Sequence, residues 1–158
     1  MKQKRWLPLG LFLVLAFAAA AIGGLATMTT VETWYPNLRK PEWSPPRWIF
    51  GPVWTLLYIS MAVSTWRVWR TGNPLDARRT VSLYSAQLTL NALWSILFFG
   101  LRQPGAAFAE IIVLWAVLGV IQFRFWRADR LAALLWLPYV AWVSFAAALN
   151  GAVWSLNR

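Results

Sequence analysis

WYPNLRKPEWSPPRWIFGPVWTLLY, Trp34–Tyr58, joins two long apolar segments and holds four Trp, two Tyr and five Pro. Indole rings are large, flat and amphipathic, and prolines restrict the backbone that carries them. So aromatic and so stiff a connector predicts a preformed lid. Beneath it the sequence predicts a membrane-embedded pocket for a flat, mostly apolar ligand.

The segments it joins belong to a chain of 158 residues, 59% apolar, with only five acidic side chains. That composition is too apolar for an ordinary soluble domain. The apolar residues fall in five blocks, Leu7–Met28, Trp48–Trp69, Thr80–Leu101, Ala106–Phe123 and Leu131–Val153. Each is close to the roughly 20 residues a helix needs to cross a bilayer. The last three connections are short, so successive helices run antiparallel. The expectation is an all-α membrane protein, one five-transmembrane-helix bundle over residues 1–158, with the aromatic, proline-rich loop between helices 1 and 2.

The chain contains no Cys and no His. Disulfides, thiolate nucleophiles, the usual transition-metal ligands and a histidine base or haem ligand are therefore missing. Five carboxylates, mostly at helix ends, make a conventional hydrolytic or metal site very hard to build. No metal site, required cofactor or catalytic residue is expected.

The net charge of +10 does not point to nucleic acid, because Lys and Arg sit at block edges and form no single soluble face. Lys2, Lys4, Arg5, Arg67, Arg70, Arg78, Arg79, Arg124, Arg127 and Arg130 lie on the side of the N-terminus, against Arg39, Lys40, Arg47, Arg102 and Arg158 on the other. Ten against five predicts a cytoplasmic N-terminus, with the aromatic loop outside; the expected location is a bacterial cell membrane. The basic side also favours anionic lipid headgroups. MKQKR, an apolar run and Ala18–Ala21 imitate a secretory signal, yet the run continues to Met28, which favours a retained first helix. Its Ala16, Ala20 and Gly24 recur every four positions as a smooth face for helix contact.

Thr29–Arg47 should lie on the membrane surface, rings down and charges up. Pro46 suits the first turn of helix 2, whereas Pro52 and Pro138 should break their helices and leave the Trp48 and Leu134 carbonyls unpaired. Such breaks persist only where protein or a cavity satisfies the freed group, so both are expected to point inward. TGNPLD (71–76), Gln103-Pro104-Gly105 and Ala128–Arg130 read as connectors.

Gln87, Asn91, Trp94 and Phe98 share one face of helix 3, and Tyr139, Trp142, Ala146 and Asn150 one face of helix 5. Trp54 and Tyr58 lie one turn apart on helix 2. At about 1.5 Å per residue these groups lie roughly 5–22 Å below the outward end, beneath the loop. Amides and phenols at that depth should face protein or a cavity. Trp6, Trp48, Trp66, Trp69, Trp126 and Trp154 read as an interfacial belt; Trp54, Trp94 and Trp142 lie too deep for one and either pack the core or line a pocket. Asn91 and Asn150 are equally suited to tying helices together. Glu110 is expected near the helix-4 N-terminus or at the interface. The candidate ligand-binding residues are Tyr35, Trp43, Trp54, Tyr58, Asn91, Trp94, Trp142, Ala146 and Asn150. A tetrapyrrole or other planar polycycle suits them, its carboxylates paired by Arg39, Lys40 or Arg47. Without His or Cys, a metal-free porphyrin such as protoporphyrin IX is more natural than haem.

WYPNLRKPEWSPPRW (34–48), FGPVWTLLY (50–58), QLTLNALWSILFFG (87–100) and LLWLPYVAWVSFAAALN (134–150) together resemble the TspO family of tryptophan-rich sensory and translocator proteins. The resemblance implies a five-helix bundle, often a homodimer, binding porphyrins and isoquinoline-type ligands under the first loop. It implies that Tyr35, Trp54, Asn91, Trp142 and Ala146 line or border the pocket, and that Trp54 and Trp142 take part in light-dependent porphyrin breakdown. The cholesterol motif of the animal proteins is missing after helix 5, where Gly151 stands in place of the expected tyrosine. Three functions are open: a porphyrin receptor or sensor tuning stress or pigment responses, a photochemical enzyme using Trp54 and Trp142, and a porphyrin or lipid transporter.

Overall fold

A computed structural model describes residues 6–72 and 74–158. The charges Lys2, Lys4 and Arg5 and the connector residue Asn73 lie outside the described residues. Five long helices follow one another: α1 (Leu7–Met28), α2 (Phe50–Thr71), α3 (Pro74–Ser95), α4 (Pro104–Ala128) and α5 (Arg130–Leu156). All five are long and apolar enough to cross a membrane, α3 together with the turn that follows it. The chain is a multi-pass integral membrane protein. Neighbour contacts close the helices into a ring in the order α1, α2, α5, α4, α3, with α4 against α5 the most extensive interface. Outward faces carry large apolar side chains such as Leu11, Leu25, Leu56, Val113, Val120 and Leu134. Those faces suit lipid.

α1 has the bounds expected from its apolar run, and the other helices differ at their ends for reasons visible in the sequence. α3 begins six residues before Thr80, because Pro74 needs no N–H partner in a first turn and Asp76 complements the helix dipole there. Pro104 likewise opens α4 and does not form part of a turn. Asp129 alone links α4 to α5: its Oδ1 accepts from the Leu131 and Ala132 amides at 2.9 and 3.2 Å, while its Oδ2 pairs with Arg67 at 2.8 Å.

The proline expectations need correction. Arg47–Ile49 is a 3-10 turn that leads into α2 at Phe50, with Pro46 as its N-cap. Pro52 is thus third in α2, inside the first turn, where a missing N–H costs little. Pro138 does lie inside α5. Both prolines are exposed on the outer face, so neither break points inward. Beside Pro138 the bundle supplies its own donors. Ser60 Oγ donates to the Leu135 carbonyl and Ser64 Oγ to the Ala132 carbonyl, each at 2.6 Å.

After α3 the chain widens into a π-helical turn, Ile96–Gly100, where a continuous α-helix to Leu101 was expected. It closes with Leu101 N–H on the Ile96 carbonyl (2.7 Å) and Gln103 N–H on the Leu97 carbonyl (2.9 Å). Arg102 takes the left-handed conformation at φ 55°, the position usually given to glycine. Hydrophobic spacing does not foretell such a turn.

Three other expectations fail on packing. Ala16 of the smooth face is buried, but Gly24 is exposed and a Cβ there would meet nothing within 4 Å. The close approach is made by Gly23, whose added Cβ would lie 3.0 Å from Ser95 Oγ. Trp66 is buried rather than interfacial, stacked on the exposed Trp6 at 5.0 Å with the Arg70 guanidinium over it. Glu110 is seventh in α4, past the first turn, and 8% exposed, so it reaches neither the dipole nor the interface.

Candidate functional site

The Thr29–Arg47 connector is held down at several points, each visible as a side chain that reaches a backbone group or a ring. Lys40 Nζ donates to the carbonyls of Tyr35 (2.8 Å), Pro36 (3.2 Å) and Leu38 (3.0 Å), and sits 4.8 Å from the centre of the Tyr35 ring. Arg39 exchanges two hydrogen bonds with Asn157 at the end of α5, its N–H to Oδ1 at 3.0 Å and its carbonyl from Nδ2 at 2.9 Å. Arg47 Nη1 donates to the Val31 carbonyl at 3.1 Å, tying the exit of α1 to the start of α2. Tyr35 is buried against Phe98 (6.3 Å) and Phe99 (5.6 Å), the two rings that the π-turn aims at the loop. Burial pushes the Tyr35 phenol above its ordinary pKa, while its Ser44 hydrogen bond and the Arg47 charge pull the other way. Burial, with Arg47 nearby, pushes the Lys40 ammonium down. The connector is a fixed roof.

Under it lies a cavity of about 460 Å³. Its walls bring together Tyr35, Trp54, Tyr58, Asn91, Trp94, Trp142, Ala146 and Asn150. Trp43 does not reach it: the ring is 51% exposed and packs edge-on against Phe145 at 5.8 Å, outside the wall. Its packing on Phe145, an α5 ring that does not line the cavity, holds it outside. Of the three cations expected at the mouth, Arg47 lines the cavity, whereas Arg39 and Lys40 do not. Lys40 is occupied by the loop carbonyls.

The aromatic wall has fixed geometry. Trp54 lies 5.5 Å from Tyr58 and 6.1 Å from Tyr139, the latter edge-on. Trp142 meets Phe50 edge-on at 5.8 Å. Trp94 stacks on Phe98 at 5.2 Å with 22° between the planes.

The polar groups are largely committed to one another. At the floor, the Tyr58 hydroxyl donates to Asn91 Oδ1 (2.6 Å), Asn91 Nδ2 donates to Tyr139 Oη (3.1 Å), and the Tyr139 hydroxyl donates to Gln87 Oε1 (2.9 Å). Higher up, Trp94 Nε1 donates to Asn150 Oδ1 at 2.9 Å, and Asn150 Nδ2 to the Pro104 carbonyl at 2.8 Å. Asn91 and Asn150 therefore tie helices together and line the cavity at once. What the cavity offers a guest is chiefly ring faces and alkyl groups, with one guanidinium at the rim. Among the described residues no group of three or more His, Cys, Asp or Glu could hold a metal ion.

Sequence reasoning missed the α1 wall, made by Phe17, Ala20, Gly23, Gly24, Thr27 and Met28, and the second π-turn ring, Phe99. Ala20 and Gly24 were visible in the sequence as part of a packing face; here they line the cavity. The lining residues that are exposed, Phe17, Gly24, Met28, Arg47, Gly51 and Thr55, all come from α1, α2 or the turn before α2. The cavity thus opens sideways, through the seam between α1 and α2, at bilayer depth.

The profile of the TspO/MBR family matches residues 12–155. The tryptophan-rich protein TspO of Archaeoglobus fulgidus is 43% identical over 136 residues, covering 85% of this chain and 87% of its own. The tryptophan-rich sensory protein of Cereibacter sphaeroides is 35% identical over 147 residues, 93% of this chain and 91% of its own. The translocator protein of Homo sapiens is 37% identical over 127 residues, 79% of this chain and 75% of its own.

Proposed function

The chain belongs to the TspO/MBR family, and we propose that it is an integral membrane receptor for a planar tetrapyrrole. A metal-free porphyrin of the protoporphyrin IX type would occupy the cavity under the roof, and its handling would tune stress or pigment responses. One observation carries the reading: Trp54, Trp94, Trp142 and Tyr35 surround a single cavity whose rim holds Arg47. A volume of about 460 Å³ lies inside the roughly 300–1,000 Å³ of sites for compact ligands. Stacking on indole suits a flat ring system, and the Arg47 fork suits a propionate. The word sensory in the name of the Cereibacter sphaeroides relative agrees with a receptor.

A second reading rests on Trp54 and Trp142 both lining the cavity. Indole can give an electron to a photoexcited porphyrin, so light-driven breakdown of the ligand is the alternative. Transport ranks last, because the Tyr58–Asn91–Tyr139–Gln87 layer closes the floor.

Titration of the purified protein with protoporphyrin IX in the dark, read by Trp fluorescence, tests the receptor. Saturable quenching that weakens in Trp54→Phe and Trp142→Phe supports it; linear, non-saturating quenching refutes it. Absorbing products formed only under light, and lost in the same variants, would favour the enzyme.

A further inference from the structure

We propose that a shallow groove between α2 and α3, at the end of the bundle that carries the N-terminus, is a binding site for the headgroup of an anionic phospholipid. The groove has a volume of about 290 Å³ and is lined by Trp69, Ala77, Arg78, Val81 and Ser82. It lies far from the roofed cavity and shares no residue with it.

Its one charged group lies toward the helix end. Arg78, Val81 and Ser82 stand at i, i+3 and i+4 on one face of α3. Counted from Pro74, Arg78 is about 6 Å and Ser82 about 12 Å into the helix. Trp69 stands in the last turn of α2, with its ring edge-on to Phe12 of α1 at 6.4 Å. A guanidinium fork therefore sits nearest the helix end, at headgroup level, with an indole, a hydroxyl and the exposed Val81 beside it on the inward side. Arg suits a phosphate because its donors match two oxygens at once.

The other charges at this end explain why Arg78 is available and why the lipid is anionic. Arg67 is paired with Asp129 at 2.8 Å and Arg124 with Asp76 at 3.7 Å. Arg70 lies over Trp66 at 4.5 Å and Arg127 over Phe123 at 4.4 Å. Arg78, Arg79 and Arg130 have no ion pair, side-chain hydrogen bond or ring contact among the described residues. Seven arginines thus face two aspartates at this end of the described chain. A zwitterionic lipid would set its ammonium against that excess, and phosphatidylglycerol would not. Arg79 is next in sequence but lies about a quarter-turn round the helix and does not line the groove.

The two neighbouring arginines supply the test. The full-length protein is placed in nanodiscs of phosphatidylcholine containing a small fraction of either brominated phosphatidylglycerol or brominated phosphatidylcholine, and Trp quenching is measured. Phosphatidylglycerol should quench more strongly at equal mole fraction, and that excess should be lost in Trp69→Phe and fall several-fold in Arg78→Gln. Arg79→Gln should keep it, and Arg78→Lys should keep part of it. Equal quenching by the two lipids overturns the site. So does an equal loss in Arg78→Gln and Arg79→Gln, which would mean only a diffuse basic rim. Both arginines are exposed, so their variants should fold; unchanged circular dichroism verifies this.

Discussion

The Tyr58 hydroxyl lies 2.6 Å from Asn91 Oδ1, and the Asn91 amide passes the contact on to Tyr139 at 3.1 Å. Three helices meet in this relationship, and it forms the floor of the cavity. Tyr58→Phe should destabilise the protein by roughly 1 kcal/mol, within the range of interhelical hydrogen bonds in membranes. Asn91→Leu removes both contacts and strands the buried Tyr58 hydroxyl, while Tyr139 keeps its bond to Gln87, so it should cost more, about 1–3 kcal/mol. Unfolding in mixed micelles measures both, and a Tyr58/Asn91 double-mutant cycle should show coupling. Additive losses would contradict the network.

Trp54 and Trp142 line the cavity, whereas Trp43 lies outside it. Trp54→Phe and Trp142→Phe should each weaken porphyrin binding by about 0.5–1.5 kcal/mol, the scale of one aromatic contact. Trp43→Phe should leave the dissociation constant within about twofold of the parent, a change under roughly 0.5 kcal/mol.

Arg47 is the cation that lines the cavity. Arg47→Gln should weaken a free-acid porphyrin by roughly tenfold, about 1.4 kcal/mol, and its dimethyl ester hardly at all. The difference should shrink as salt rises, because a charge at the exposed rim is screened. Equal loss for acid and ester would mean that Arg47 acts only through its bond to the Val31 carbonyl.

Two adjacent glycines on α1 should respond in opposite ways. A Cβ on Gly23 would stand 3.0 Å from Ser95 Oγ, while one on Gly24 would meet nothing within 4 Å. Gly23→Ala should therefore be the less stable of the pair in thermal unfolding, with Gly24→Ala neutral or up to about 1 kcal/mol more stable through helix propensity. Gly24→Leu adds bulk at the α1–α2 seam, starting from a Cβ that meets nothing within 4 Å. Stopped-flow mixing with porphyrin-loaded vesicles should show slower association, with less effect on the final saturation.

Asp129 caps α5 and pairs with Arg67. Asp129→Asn keeps the cap and loses the charge; Asp129→Ala loses both. Alanine should cost about 1 kcal/mol more than asparagine, the usual worth of an N-cap, in a chemical denaturation series.

The Gln87–Asn91–Trp94–Phe98 face of α3 and the Tyr139–Trp142–Ala146–Asn150 face of α5 were legible because helical spacing puts such residues on one side, and lipid gives their polar groups nowhere else to go. Trp43 was misplaced because spacing within an irregular loop says nothing about which ring turns inward. Gly24 was misread because a small residue looks the same in sequence whether it admits a neighbour or leaves a gap. The π-turn at Ile96–Gly100 was hidden for a related reason: one extra residue per turn is selected by its surroundings, not by local propensity.

By itself, the sequence determined five membrane-spanning helices, an aromatic connector and a side-chain inventory without histidine or cysteine. Composition and periodicity act locally, and the cost of burying charge in lipid admits few alternatives. Only the tertiary structure decided that α1 borders the cavity, that Arg47 alone among the three expected cations reaches it, and that it opens between α1 and α2. Voids and openings are what side chains from distant segments leave unfilled, and no single segment encodes that remainder.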